Sequence, residues 1–269
     1  MSLPLFVVDA FSDRPFGGNP AAVCLLDAPK AADWMQRVAS EMNLSETAFV
    51  ERRDEAFSLR WFTPGTEVAL CGHATLAGAH ALWEAGWLDA DAPARFRSRS
   101  GELVARRSDG LIELDLPAQP IAAAPLPPRA GRGLGPIRPI FTGTTPERDL
   151  HDVDLLVHVE TEAIVRSLRP DFGVLRTQPS GIIVTARAST PGVDFVSRYF
   201  APSFGVDEDP VTGVAHCALA PYWAARLGRS ALVGYQASAR GGLVRTRVEG
   251  PRVFLAGPAA TVVRGTLNV

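Results

Sequence analysis

Hydrophobic and polar positions alternate along this chain between two periods. Leu5 to Ala10 and Ala21 to Leu26 are dense in Val, Leu and Phe and read as strands. Between them Phe11 to Asn19 forms a glycine-containing turn. Ala31 to Met42 puts Trp34, Val38 and Met42 on one helical face, and Asn43 to Glu46 ends that helix. Thr47 to Glu51 and Phe57 to Phe62 return to strand composition. Cys71 to Gly86 is apolar nearly all round, the pattern of a helix buried on every side, with Gly86 placed to cap it. Ala94 to Ser98, Glu102 to Arg106 and Leu111 to Leu116, parted by Gly101 and Asp109-Gly110, predict antiparallel strands with hairpin turns.

Pro117 to Pro139 breaks this pattern. It is rich in Ala, Pro, Gly and Arg and reads as a link, with a short strand between Pro120 and Ala124. Its Gly131-x-Gly133-x-Gly135 run matches a dinucleotide loop poorly, because Pro136 follows and no capped helix does. Beyond the link the grammar restarts. Asp154 to Val159 is a strand, Glu162 to Leu168 a short helix, and Gly181 to Ala186 and Phe195 to Phe200 are strands. Gly213 to Gly228 is a second all-round apolar helix, with Pro221 expected to kink it. Ala231 to Ser238, Leu243 to Val248, Val253 to Ala256 and Ala260 to Leu267 close with strands.

The two apolar helices follow similar words. Arg60-Trp61-Phe62-Thr63-Pro64 precedes Cys71-Gly72-His73; Arg198-Tyr199-Phe200-Ala201-Pro202 precedes Thr212-Gly213-Val214. This internal repeat predicts an α+β chain of two pseudo-symmetric halves, 1–118 and 119–269. Each would be a barrel-like, mostly antiparallel sheet wrapped round a central helix, 72–86 in one and 213–228 in the other, with the last strand free to return to the first half. The active site is expected between the halves.

Composition changes this picture little. Of 269 residues, 46% are hydrophobic and 21% charged, enough for a large core without metal or disulfide. A net charge of −2 favours neither nucleic acid nor an anionic membrane as a partner. Asp9 comes too early for a signal peptide, and no apolar run has the length of a membrane span. Cys24, Cys71 and Cys217 are odd in number and far apart, which argues against a disulfide framework or a CxxC metal site and for a reducing cytoplasm.

The candidate chemistry gathers at the two helix starts. Free N–H groups at Gly72-His73 and Gly213-Val214, with the positive dipole ends, would favour a carboxylate; the alternative is that these glycines only cap or pack. Glu46, between an apolar helix and an apolar strand, is either a partly desolvated acid/base or a surface turn residue. Asp209 either stabilises the second helix by its charge or orients a catalytic group. The dipole favours a neutral His73, whereas His216 is a core or a site residue and His80 a structural one. Cys71, beside a helix start, is a candidate low-pKa nucleophile, although no second thiol matches it and no HExxH spacing marks a metal.

Five motifs together resemble the PhzF (phenazine biosynthesis) family, relatives of diaminopimelate epimerase. They are Asp9 to Pro20, Asn43 to Phe49, Phe62-Thr63-Pro64 with Glu67, Cys71 to Thr75, and Glu208 to Gly213 with Ala215-His216-Cys217. The resemblance implies the diaminopimelate-epimerase-like fold, a homodimer and a cofactor-free isomerase. In the phenazine enzyme the substrate is trans-2,3-dihydro-3-hydroxyanthranilate, and a glutamate moves a proton between ring carbons. Glu46 matches that glutamate, and His73 and Asp209 match residues that bind or orient substrate. Gly72 and Asp209 fall where the epimerase relatives carry paired cysteines. Val214 departs from the serine common in the family. The reading is an isomerase acting on a small carboxylated substrate, without cofactor or metal. The alternatives are an amino-acid racemase or epimerase and a non-catalytic carboxylate-binding protein.

Overall fold

The computed structural model describes residues 2–53, 56–147 and 153–268. The chain divides into two compact units, Met1–Leu116 with Phe254–Val269, and Pro117–Val253.

In the first unit β1 (Ser2–Ala10) pairs antiparallel with β2 (Asn19–Leu26) and with β18 (Ala259–Asn268). The sheet continues with β3 (Glu46–Arg52) parallel to β2, β4 (Phe57–Phe62) antiparallel to β3, and β6 (Ala94–Ser98) parallel to β4. β7 (Gly101–Ser108) and β8 (Leu111–Pro117) complete an antiparallel meander, and β5 (Glu67–Val68) pairs with the end of β4. Strand alternation divides the side chains between two faces. Val50 and Leu59 point to α2 (Gly72–Glu84), where Gly78 lets the helix settle against them. Phe49 and Phe62 point the other way, to Met35, Val38 and Ala39 of α1 (Ala32–Met42). Trp34 and Met42, expected to lead the α1 face, are only partly buried at its margin.

The second unit repeats the pairing rules. β10 (Pro139–Thr144) runs antiparallel to β9 (Ala122–Ala123) and β11 (Leu155–Val159). β11 is parallel to β12 (Ile182–Arg187), β12 antiparallel to β13 (Phe195–Ala201), and β13 parallel to β15 (Ala231–Gln236). β16 (Gly242–Glu249) follows antiparallel to β15, and the short β14 (Val206–Asp209) pairs with β13 as β5 does with β4. Leu156, Ile183 and Phe195 face α6 (Gly213–Leu227). Leu155, Val157, Ile182 and Val184 face away from it, toward Val165 of α4 (Glu162–Ser167) and Leu175 of α5 (Phe172–Leu175). The predicted α+β fold with a central helix in each half is therefore present, although each sheet mixes parallel and antiparallel pairs.

The repeated Arg-aromatic-Phe word has a structural cause. Arg60 forms a bidentate pair with Glu67, both contacts 2.8 Å, and Arg198 does the same with Glu208 at 2.7 and 2.8 Å. Each guanidinium also lies over the Phe two residues on, Phe62 or Phe200. The two pairs tie the short strand before each core helix to its neighbour, using the fixed fork of arginine.

The supposed link is more ordered than its composition implies. Pro128 starts α3 (Pro128–Leu134), where its fixed φ and missing N–H suit the first helical position. Gly131 and Gly133 lie in that helix, and a side chain at Gly133 would collide with Leu175. Of the glycine run, Gly133 thus serves helix packing, while Gly135 ends the helix at a positive φ of 83°.

Glu162 at the start of α4 accepts from the Ser189 and Thr190 backbone amides at 2.7 and 3.1 Å, from both hydroxyls, and from Arg166 at 2.7 Å. Burial opposes the charged carboxylate, but these donors outweigh it and hold its pKa down to about 2. A depressed folded-state pKa gives stability that is complete above the unfolded value and lost as pH falls through the folded one. We expect stability to fall between pH about 4.5 and about 2. Glu162→Gln should be less stable at neutral pH and flatter across that window, read by urea unfolding at several pH values.

Candidate active site

Glu46 opens β3, next to the left-handed Asn43 that ends α1. Its side chain is 17% exposed, and its Oε2 lies 3.2 Å from Nε2 of His73, which is 4% exposed. Gly72 and His73 form the first turn of α2, whose N-cap is Cys71. The Cys71 side chain makes no capping hydrogen bond, and only the Ala74 amide of the first turn favours its sulfur, which leaves the Gly72 and His73 amides unserved by their own cap. Cys71 Sγ instead lies 3.5 Å from His73 Nδ1, and Asn19 Nδ2 lies 3.1 Å from the same nitrogen. The structure therefore brings Glu46, Gly72 and His73 together with Cys71, the candidate nucleophile, and adds Asn19.

Protonation follows from this geometry. Burial of the His73 ring opposes its charge, but the Glu46 carboxylate 3.2 Å from Nε2 favours it, and the pKa is raised well above the ordinary value. The dipole preference for a neutral ring is outweighed by this neighbour. In the cation, and in the neutral tautomer that accepts at Nδ1, Nε2 carries a hydrogen facing Glu46. Cys71 goes the other way: burial, and then Glu46, push its thiol up to about 11. The low-pKa nucleophile expected at the helix start is therefore replaced by a neutral thiol. Iodoacetamide at pH 8 should label Cys71 in the folded protein far more slowly than in urea, by peptide mass spectrometry; rapid labelling of the native chain would mean an activated thiolate.

The three groups Glu46, Cys71 and His73 lie within 4.8 Å of one another, a separation that could suit a metal. Their directions do not favour one ion, since sulfur meets Nδ1 and the carboxylate meets Nε2, on different sides of the ring. The set fits proton handling better.

In the second unit Asp209 ends β14, and Gly213 and Val214 begin α6 behind the N-cap Thr212. The Thr212 hydroxyl is diverted from capping: it donates to Asp209 Oδ2 at 2.5 Å and accepts from Gln236 Nε2 at 3.0 Å. Gln236 also donates to the Asp209 carbonyl at 2.7 Å and accepts from the Thr212 amide at 2.8 Å. Asp209 is thus a buried carboxylate fixed by its neighbours, beside first-turn amides that their cap leaves unserved. His216 lies deeper: Nδ1 meets the Thr212 carbonyl at 2.8 Å, and burial lowers the pKa to about 4, so the ring is a neutral core group. His80 is held by Thr261 and Glu84 at 3.0 and 2.9 Å, a structural role as expected. Thr212 appeared in the sequence only as part of the second helix-start motif and Gln236 carried no signal, because their roles lie in contacts between β15 and the loop before α6.

A family profile described as "Phenazine biosynthesis-like protein" matches residues 8–265. An uncharacterized isomerase of Pseudomonas aeruginosa is 50% identical over 271 residues, with both chains covered in full. One of Halalkalibacterium halodurans is 47% identical over 99% of each chain. The crystal structure of a PhzF-family phenazine biosynthesis protein of Enterococcus faecalis superposes with a TM-score of 0.91 at 38% identity, over all of both chains. Among the described residues no helix is long and apolar enough to cross a membrane.

Proposed function

The chain belongs to the phenazine biosynthesis-like protein family, and on that premise we propose that it is a cofactor-independent isomerase moving a proton on a small carboxylated substrate. Glu46 is the acid/base. It takes a proton from a substrate carbon, breaking C–H and forming carboxyl O–H, and returns it to a second carbon. His73, with the Nε2 hydrogen 3.2 Å from Glu46 Oε2, orients the carboxyl group both when it is ionised and when it holds the proton. The first-turn amides at Gly72-His73 and at Gly213-Val214 are proposed contacts for acidic or polar substrate groups, and Asp209 one for an amine. The single observation that carries this reading is the pairing of a partly exposed Glu46 with buried His73 at 3.2 Å, on a helix start its own cap leaves open. A solvent-poor setting strengthens each such contact.

Val214 supports a further refinement. It stands where serine is common in the family, and replaces a hydroxyl with apolar bulk. The substrate is therefore proposed to be less polar at that point than dihydrohydroxyanthranilate. The same reading carries the family's homodimer and a cytoplasmic location to this chain.

The test is proton NMR in heavy water with dihydrohydroxyanthranilate and a panel of small unsaturated carboxylates. Deuterium entering one carbon as a double bond moves supports the reading. Exchange confined to less polar compounds would assign the difference to Val214. A panel member that binds without any exchange would favour a carboxylate-binding protein, and α-proton exchange on free amino acids a racemase.

A further inference from the structure

The loop before β2 is built to deliver one side chain. Phe11, Phe16 and Gly18 have φ of 61°, 71° and 60°, three left-handed residues in one short loop. The Asp9 carboxylate accepts from the Phe16 amide at 2.7 Å, and the Ser12 hydroxyl donates to the Arg14 carbonyl at 2.7 Å. Ladder pairing resumes at Ala10 with Asn19, which is fully buried. Such concentrated backbone strain persists only where surrounding contacts hold it in place. Here its product is the Asn19 carboxamide at 3.1 Å from His73 Nδ1.

We propose that Asn19 is a positioning residue for His73, its carboxamide meeting Nδ1 with the NH₂ end when the ring is neutral and with the oxygen when the ring is charged. This rests on the proton-transfer reading above and extends it. A carboxamide is donor and acceptor at once, so one residue can satisfy Nδ1 in both ring states. In each state Nε2 keeps its hydrogen, 3.2 Å from Glu46 Oε2. Without Asn19 a buried ring that gains and loses charge would have only the weak sulfur partner Cys71, 3.5 Å from Nδ1, and a poorly paired polar atom is costly. The titratable groups facing the ring are Glu46 on β3 and Cys71 at the α2 N-cap.

The experiment is NMR titration of ¹⁵N-histidine-labelled full-length protein, with the His73 signals assigned by their loss in His73→Gln. In wild type above the ring's titration, Nε2 is expected to be protonated and Nδ1 to be an acceptor. An Nδ1–H tautomer would overturn the proposal without any Asn19 variant. Asn19→Asp keeps the shape but accepts only from the charged ring, and should raise the His73 pKa by about 1–3 units. Asn19→Leu, which serves neither state, should lower it. A folded Asn19→Asp with an unmoved His73 pKa would reduce Asn19 to a loop anchor. Because these readouts are taken without substrate, they stand or fall apart from the isomerase assignment. If both readouts hold but no compound exchanges protons, the positioning is correct and the proposed function is not.

Discussion

Glu46→Gln is expected to lower turnover by about 10²–10⁴-fold, the usual worth of a positioned general acid/base. The substitution is nearly isosteric, and the amide oxygen can still accept from His73 Nε2 across the 3.2 Å contact, so the fold should be unchanged. Only the group that can take and return a proton is lost. The predicted signature is a fall in kcat with little change in KM, since Glu46 is not proposed to hold the carboxylate. Deuterium should cease to enter the substrate in the variant while wild type exchanges. Glu41→Gln, on the exposed side of α1, serves as a control and should behave as wild type. Near-wild-type turnover in Glu46→Gln would remove Glu46 from the chemistry and leave the Cys71–His73 pair as the place to look.

Gly18→Ala should destabilise the first unit by roughly 2–5 kcal/mol, combining left-handed backbone strain with overpacking. Gly18 has φ of 60°, and a Cβ there would be driven into the carbonyl oxygen of Ala10, with the carbonyl carbon and the Ser12 Cβ each at 3.0 Å. The obstructing atom is backbone in a paired strand, so it cannot rotate aside as a long side chain would. The measurement is urea unfolding followed by tryptophan fluorescence, with each unit's transition fitted separately because a chain of two units need not unfold in one step. Gly86→Ala is the informative comparison, since Gly86 has a similar φ of 69° but nothing within 4 Å of its would-be Cβ. It should lose only the conformational part. Equal losses at both positions would show that the Ala10 collision relaxes.

Much of the fold was legible because its determinants are local. Period-two alternation marks β6 to β8, and all-round apolarity marks α2 and α6, since a helix enclosed by its sheet has no polar face to reveal. Proline and glycine content misled at Pro117 to Pro139: Pro128 begins a helix, and Gly133 in α3 makes room for Leu175, a neighbour remote in sequence. Short strands such as β5 and β14 were invisible because they are held by an arginine on the preceding strand, not by their own composition.

The sequence by itself determined the α+β class and the internal repeat, because both rest on local patterns of residue type and spacing. For Glu46, His73 and Asp209 those patterns left a structural alternative open, and it was the family resemblance that marked them as candidates. Tertiary structure decided their chemical states. Cys71 looked like a thiolate beside a helix dipole, but burial and a carboxylate neighbour make it a neutral thiol. His73 looked neutral for the same dipole, but the Glu46 carboxylate beside it raises its pKa. Desolvation and Coulomb terms change steeply over a few ångströms, and those distances are set by where β2, β3 and α2 meet.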